Sequence, residues 1–317
     1  MSISQYIKEI GRGAAGARSL DRTQSQDLMA QVLDGQVTDL EIGAFALAMR
    51  VKGETVDELI GFADAMQART LMIDSDRPVV VIPSYNGARK LPNLTPLLAM
   101  CLAQEGVRVL VHGQRHDKAR VTSCEVFAAL GMPPLESAAA VHECWRRHEP
   151  AFVLTETLCP PLQRLLDVRW VVGLRNAGHT IAKLMQPIAG APALRLASHT
   201  HPEFGALMGE FARRTAADLM LLRGTEGEAV ADPRRCPKIE TWLGGASAAE
   251  LGCPAQEGTL AELPLLPRAI DAATVAVYIQ AVLSGEKPTP APLERQVALL
   301  LQGIARLQSA PAKERRA

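Results

Sequence analysis

Three polar-to-apolar transitions mark helix starts in the first seventy residues. Thr23 with Gln26, Thr38 with Glu41 and Thr55 with Glu58 form S/T-x-x-E/Q pairs, each ahead of a run with helical apolar spacing. Ile42, Phe45, Ala46 and Met49 share one face, Val56, Leu59, Ile60 and Ala63 another, and Gly35 and Gly53 stand where helix C-terminal glycines belong. The pattern predicts a small all-helical domain over residues 1–72. Beyond it, short apolar runs at 79–82, 107–111, 152–154, 194–197 and 219–222 alternate with helical stretches. That alternation predicts an α/β fold over residues 73–317 with a mainly parallel sheet. Residues 270–283 and 293–307 read as closing helices, and the charged end "PAKERRA" reads as a disordered tail.

The stretch "VVVIPSYNGARKLPNLTPLLA", residues 79–99, concentrates the candidate chemistry. Val79 to Ile82 suit a strand covered on both faces, and Pro83, which cannot donate to a ladder, ends it. Tyr85-Asn86-Gly87 supplies a turn, Arg89-Lys90 supplies two cations, and regular structure resumes near Asn93 to Pro96. In a parallel sheet that position is where ligands bind, and the cations point to an anion.

Composition narrows the classes. The chain has 317 residues, 48% of them hydrophobic, and a formal net charge of zero, so it can bury a full core and is not basic all over. Its apolar runs fall far short of the roughly 20 residues of a membrane helix, and "MSISQYIKEIGRGAAG" lacks a signal-peptide centre, so a cytoplasmic protein without membrane contact is expected. The cysteines Cys101, Cys124, Cys144, Cys159, Cys236 and Cys253 show no C-x-x-C spacing, and His199, His201, His142 and His148 fit no ligand motif, so no metal is expected. Charge is segregated. Residues 85–123 hold six Lys/Arg against two Asp/Glu, residues 160–200 five against one, and residues 240–294 two against seven. Two cationic segments can focus a field without net charge.

"DGQVTDLEIGAFALAMRVKGETVDELIGFADAMQ" and the order of elements after it resemble the anthranilate phosphoribosyltransferases and the nucleoside phosphorylases of the same fold, the glycosyltransferase family 3 group. "IGRG", "VIPSYNGARKLPNLTPLLA", "RNAGHTIAKL" and "RGTEGEAVADPRRCP" resemble the YbiB-type branch, and this resemblance implies nucleic-acid binding. It also implies a homodimer joined through the helical domains.

Departures from the biosynthetic pattern weigh on catalysis. The family's G-T-G-G-D-G loop, whose backbone closes on a diphosphate, is here "PSYNGARK". A partial, vestigial phosphate site remains in Asn86, Gly87, Asn93, Thr95, His112 and Gly113. The lysine of the family's K-H-G-N-R segment is replaced by Val111, and its magnesium-holding Asp-Glu pair falls on Ala229 and Val230, with Glu226 and Glu228 nearby. Transfer from a diphosphate donor needs metal to neutralise the leaving group, so no catalytic residue is assigned. Arg175, His179 and Lys183, spaced by four, read as a cationic stripe along one helix face. With Arg89, Lys90, Arg115 and Arg120 they make an extended row, to which Lys8, Arg12, Arg18 and Arg22 of the N-terminal segment add.

These residues point to a non-catalytic binder of DNA or RNA that tracks phosphates, reads bases little because aromatic residues are only 4% of the chain, and uses no cofactor. The alternative is a magnesium-dependent phosphoribosyl or glycosyl transferase with an altered acceptor, in which Glu226 and Glu228 recruit the ion. A third reading is an interaction scaffold that uses neither site.

Overall fold

The computed structural model describes residues 2–13 and 15–309, and the expected disordered tail at 311–317 lies outside them. The chain divides into two compact units, one made of Met1–Met72 with Thr155–Pro187 and the other of Ile73–Leu154 with Ile188–Ala317. The sequence division at residue 72 therefore differs in one segment: residues 155–187 leave the α/β layer and join the helical unit. Leu162, Leu165 and Leu166 on the helix Pro160–Asp167 are buried there, Arg164 Nη2 donates to Leu33 O at 3.1 Å, and Leu71 N donates to Leu158 O at 2.7 Å.

The helical unit contains α1 (Ser4–Ile10), α2 (Arg22–Leu33), α3 (Asp39–Lys52) and α4 (Val56–Gln67); the predicted faces of α3 and α4 turn inward, with Ile42 and Val56 half-buried, and α1 is an addition to the predicted helices. The capping pairs Thr38–Glu41 and Thr55–Glu58 form as expected. The first does not: α2 begins at Arg22, capped by Asp21, whose side chain accepts from Gln24 N at 2.8 Å while Gln24 Oε1 receives Asp21 N at 3.1 Å. Asp21 is extended and already satisfies the first turn, so Thr23 lies inside the helix. Glu58 does more than cap. Its fully buried carboxylate accepts from Lys52 Nζ at 2.6 Å and from Leu20 N at 2.9 Å, tying three segments together.

The other unit is built on a seven-stranded sheet. Its strands are β2 (Val79–Ser84), β3 (Arg108–Gly113), β4 (Ala151–Leu154), β6 (Ala193–His199), β7 (Leu219–Arg223), β8 (Ile239–Leu243) and β9 (Ala246–Ser247), in the order β4-β3-β2-β6-β7-β8-β9. The first five run parallel, and β8 and β9 are antiparallel. A separate pair, β1 (Ile73–Asp74) with β5 (Ile188–Ala189), is also parallel. Strands β2 and β3 are apolar and buried on both faces because helices cover them, which is why they read as continuous runs instead of alternating ones. Helices α5 (Thr95–Gln104) and α6 (Ser123–Ala129), together with Ala272–Leu283 and Ala291–Ser309, contribute to the core cluster around Val80, Ile82 and Val111. No helix among the described residues is long and apolar enough to cross a membrane.

His112 on β3 is fully buried, and neither ring nitrogen has a hydrogen-bond partner among the described residues. Burial depresses its pKa to about 4, so the folded protein holds the ring neutral while the unfolded chain protonates it near 6.5. The associated stability is present above pH 6.5 and is lost as pH falls toward 4. We expect His112→Leu to make unfolding less acid-sensitive, removing roughly 3 kcal/mol of the wild-type loss between pH 7 and pH 4 in denaturant titrations. Parallel pH dependences in the two proteins would show that His112 does not carry the effect.

Candidate anion site at the sheet switch point

The strand order reverses at β2: the chain builds outward through β3 and β4 on one side and through β6 and β7 on the other. The loop leaving β2 therefore opens at the switch point, where open α/β sheets bind ligands. Ala88 pins this loop by exchanging backbone hydrogen bonds of 2.9 and 2.8 Å with Val121.

A carboxylate of the protein itself fills the inside of the loop. Glu228, buried, accepts Asn86 N at 2.8 Å and Gly87 N at 2.7 Å on Oε1, and the Thr95 hydroxyl at 3.2 Å and the Ser84 hydroxyl on Oε2. Ser84 Oγ lies 2.5 Å from Ser123 Oγ, which in turn accepts from Asn93 Nδ2 at 3.1 Å. The relay runs Asn93 to Ser123 to Ser84 to Glu228. Asn93 Oδ1 also receives Thr95 N at 3.2 Å, closing the start of α5. Burial pushes the Glu228 carboxyl above its usual value, against the pull of these donors. Gly113 makes room for the arrangement, since a Cβ there would stand 1.8 Å from Ser84 O across the β2–β3 ladder.

A second carboxylate closes the outer half. Glu226 Oε2 accepts three consecutive backbone donors, Arg89 N at 2.9 Å, Lys90 N at 3.0 Å and Leu91 N at 3.2 Å. Partial burial pushes this carboxyl up, but the three N–H groups outweigh it and hold the pKa below the usual value. The turn that presents both acids is bent at Glu226, φ 53°, and at Gly227, φ 96°, where any side chain would strike Asn86. Arg120 braces the turn, Nη1 donating to Gly87 O at 3.0 Å and Glu226 O at 3.2 Å.

The predicted phosphate residues thus converge, and Asn86, Gly87, Asn93 and Thr95 all serve this internal network, with His112 and Gly113 buried on β3 beneath it. Sequence reasoning missed the acceptor roles of Glu226 and Glu228, as well as Ser84 and Ser123. The visible signal was a Glu-Gly-Glu turn beside a loop that had lost its own acid.

Of the predicted cations in this unit, Arg89, Lys90 and Arg115 are exposed and Arg120 is the brace just described. Lys8, Arg12, Arg18, Arg22, Arg175, His179 and Lys183 belong to the helical unit. There Arg12 and Arg18 lie 2.7 and 3.9 Å from Glu9, and Arg22 lies 2.7 Å from Asp64. Lys8 sits exposed on α1. The stripe of Arg175, His179 and Lys183 does not form. Regular helix covers only Gly178–Ile181, and the 3-10 turn Ala182–Leu184 follows, so spacing by four does not stack these side chains. His179 is buried, and burial beside Arg175 and Arg169 depresses its pKa to about 3, so it carries no charge.

Magnesium does not fit these residues. Both oxygens of Glu228 and Oε2 of Glu226 face N–H and O–H donors, whose positive ends would repel a cation, and Val111, Ala229 and Val230 are buried in the apolar core. Among the described residues no group of three or more His, Cys, Asp or Glu gathers into a metal site.

Comparison with known proteins agrees with this architecture. Residues 4–70 match the helical bundle domain of the glycosyl transferase family. The anthranilate phosphoribosyltransferase of Thermus thermophilus superposes with a TM-score of 0.69 at 21% identity, over 96% of this chain and 89% of that one. The enzyme of Saccharomyces cerevisiae, in complex with PRPP and Mg, gives 0.69 at 14% identity, over 96% and 92%. In sequence, the anthranilate phosphoribosyltransferase of Beijerinckia indica is 31% identical over 186 residues, 58% of this chain and 54% of the enzyme, so that alignment spans about half of each. The YbiB protein of Escherichia coli is 41% identical over 304 residues, 95% of this chain and 94% of its own length. With an anthranilate phosphoribosyltransferase-like fold and that extent of identity, the chain belongs to the YbiB family.

Proposed function

We propose that the protein is a non-catalytic, largely sequence-independent binder of DNA or RNA in the cytoplasm. The observation that carries this reading is the loop after β2: exposed Arg89 and Lys90 stand outside it while its inner anion positions are filled by Glu228 and Glu226. A diphosphate donor would have to displace a buried carboxylate held by four donors. A phosphate chain passing along the outside of the loop meets the two exposed cations and releases their counterions. The transferase alternative predicts magnesium-dependent turnover of phosphoribosyl diphosphate.

Two measurements decide between them. With magnesium, phosphoribosyl diphosphate and anthranilate, the purified protein is expected to form no product above background. In gel shifts with short oligonucleotides, Arg89→Ala with Lys90→Ala should weaken binding to all sequences alike and make the log–log salt slope shallower by about one to two units. Arg268→Ala with Lys287→Ala, in the acidic region, is the control expected to change neither. Turnover, or equal effects of the two double variants, would overturn the reading.

The resemblance also implies a homodimer, and α3 supports it. Leu40, Leu47 and Val51 lie along one side of this helix at 84%, 50% and 57% exposure, an unusual solvent face for apolar side chains repeating at helical intervals. A second copy covering this stripe would set two loops on one body and give avidity for a long polyanion. Sedimentation at micromolar concentration should show a dimer for the wild type and a monomer for Leu47→Glu. A wild-type monomer would remove the stripe from the argument.

A further inference from the structure

The three N–H groups of Arg89, Lys90 and Leu91 converge on one oxygen, an arrangement that favours an anion. The group now there is a flexible side-chain carboxylate, not a backbone carbonyl, and it is only partly buried. Exposed Arg89 and Lys90 flank it. We propose that this nest is a binding site for a tetrahedral phosphate, occupied by Glu226 in the free protein and vacated when a phosphate takes its place. The inference rests on the nucleic-acid reading for its physiological ligand, a backbone phosphodiester, while free phosphate has the same chemistry.

The displaced carboxylate has somewhere to go. Glu226 and Leu91 line a cavity of about 850 Å³ that Arg223, Arg234 and Arg235 also line. Arg234 is already paired with Asp232 at 2.9 Å, so Arg223 and Arg235 are the guanidinium groups of this cavity that would receive the displaced carboxylate, and displacement would not strand a charge. Glu228 differs: it is fully buried, with donors on both oxygens, and stays. Exchange is thus confined to the outer position, beside the exposed cations.

Glu226→Ala and Glu226→Gln separate displacement from simple charge removal. Both lose one negative charge, and both keep a Cβ at φ 53°, so backbone strain is unaltered. The glutamine carbonyl still accepts the three N–H groups, whereas alanine leaves the nest open. Glu210→Ala is the charge control, because Glu210 lines the same cavity but is engaged by Arg213. The first probe is inorganic phosphate, followed through the backbone amide resonances of residues 89–91 in the full chain. In Glu226→Ala these should shift at phosphate concentrations at least about tenfold below those needed by wild type, Glu226→Gln or Glu210→Ala. The second probe is a short oligodeoxynucleotide, for which Glu226→Ala should again bind about tenfold more tightly than the other three proteins.

Equal gains in Glu226→Ala and Glu226→Gln would reduce the effect to charge and overturn the proposal, as would unmoved amides in Glu226→Ala. A phosphate response without any oligonucleotide binding would uphold the nest and sink the nucleic-acid reading. Oligonucleotide binding identical in all four proteins would do the reverse.

Discussion

Much of the α/β unit's working edge depends on one buried carboxylate. Glu228, on the turn after β7, gathers two backbone N–H groups and two hydroxyls from two other segments, β2 with its loop and the start of α5, and so joins three segments. A carboxylate out of water is costly unless its lone pairs are taken up, and here four donors do so. The converse also holds: without it, the N–H groups of Asn86 and Gly87 would be buried around nothing. The loop keeps its closed shape because a negative oxygen sits inside, as a phosphate-binding loop does with ligand bound.

This substitution explains why residues that looked like remnants of a ligand site remain so well ordered in hydrogen-bond terms. Asn93 and Thr95 have donors and acceptors suited to phosphate, yet both close on protein partners. The departures seen in the sequence are coherent with it. Ala229 and Val230, where an acidic pair was expected, pack into the core, and the turn preceding them points its two glutamates into the loop.

The architecture was largely legible because it rests on short-range signals. Capping pairs at Thr38 and Thr55 and the apolar runs of β2, β3 and β7 are local and strong. The misplaced start of α2 is also local: Asp21 and Thr23 both head capping-box patterns two residues apart, and the one nearer the chain's extended entry forms. Segment 155–187 went to the wrong unit because no local pattern tells a helix which layer it packs on. The stripe of Arg175, His179 and Lys183 failed for a related reason. Spacing by four aligns side chains only where a helix persists, and a four-residue helix followed by a 3-10 turn does not carry the register. The site's location at the end of β2 was legible, but its occupant was not, since Glu226 and Glu228 lie about 140 positions from the loop they fill and entered the sequence reading only as ion ligands under the transferase alternative.

The two glutamates that flank Gly227 sit in equivalent chemistry but unequal solvent. Glu228 is buried with its oxygens shared among backbone and hydroxyl donors, so removing it breaks a network joining three segments. Glu226 directs one oxygen to three N–H groups and is open to a cavity lined by arginines. Water competes for the Glu226 carboxylate and hardly at all for that of Glu228, and local dielectric sets how tightly each is held. One turn therefore supplies a fixed internal carboxyl acceptor and a more exposed carboxylate, the latter next to the two loop cations that face solvent.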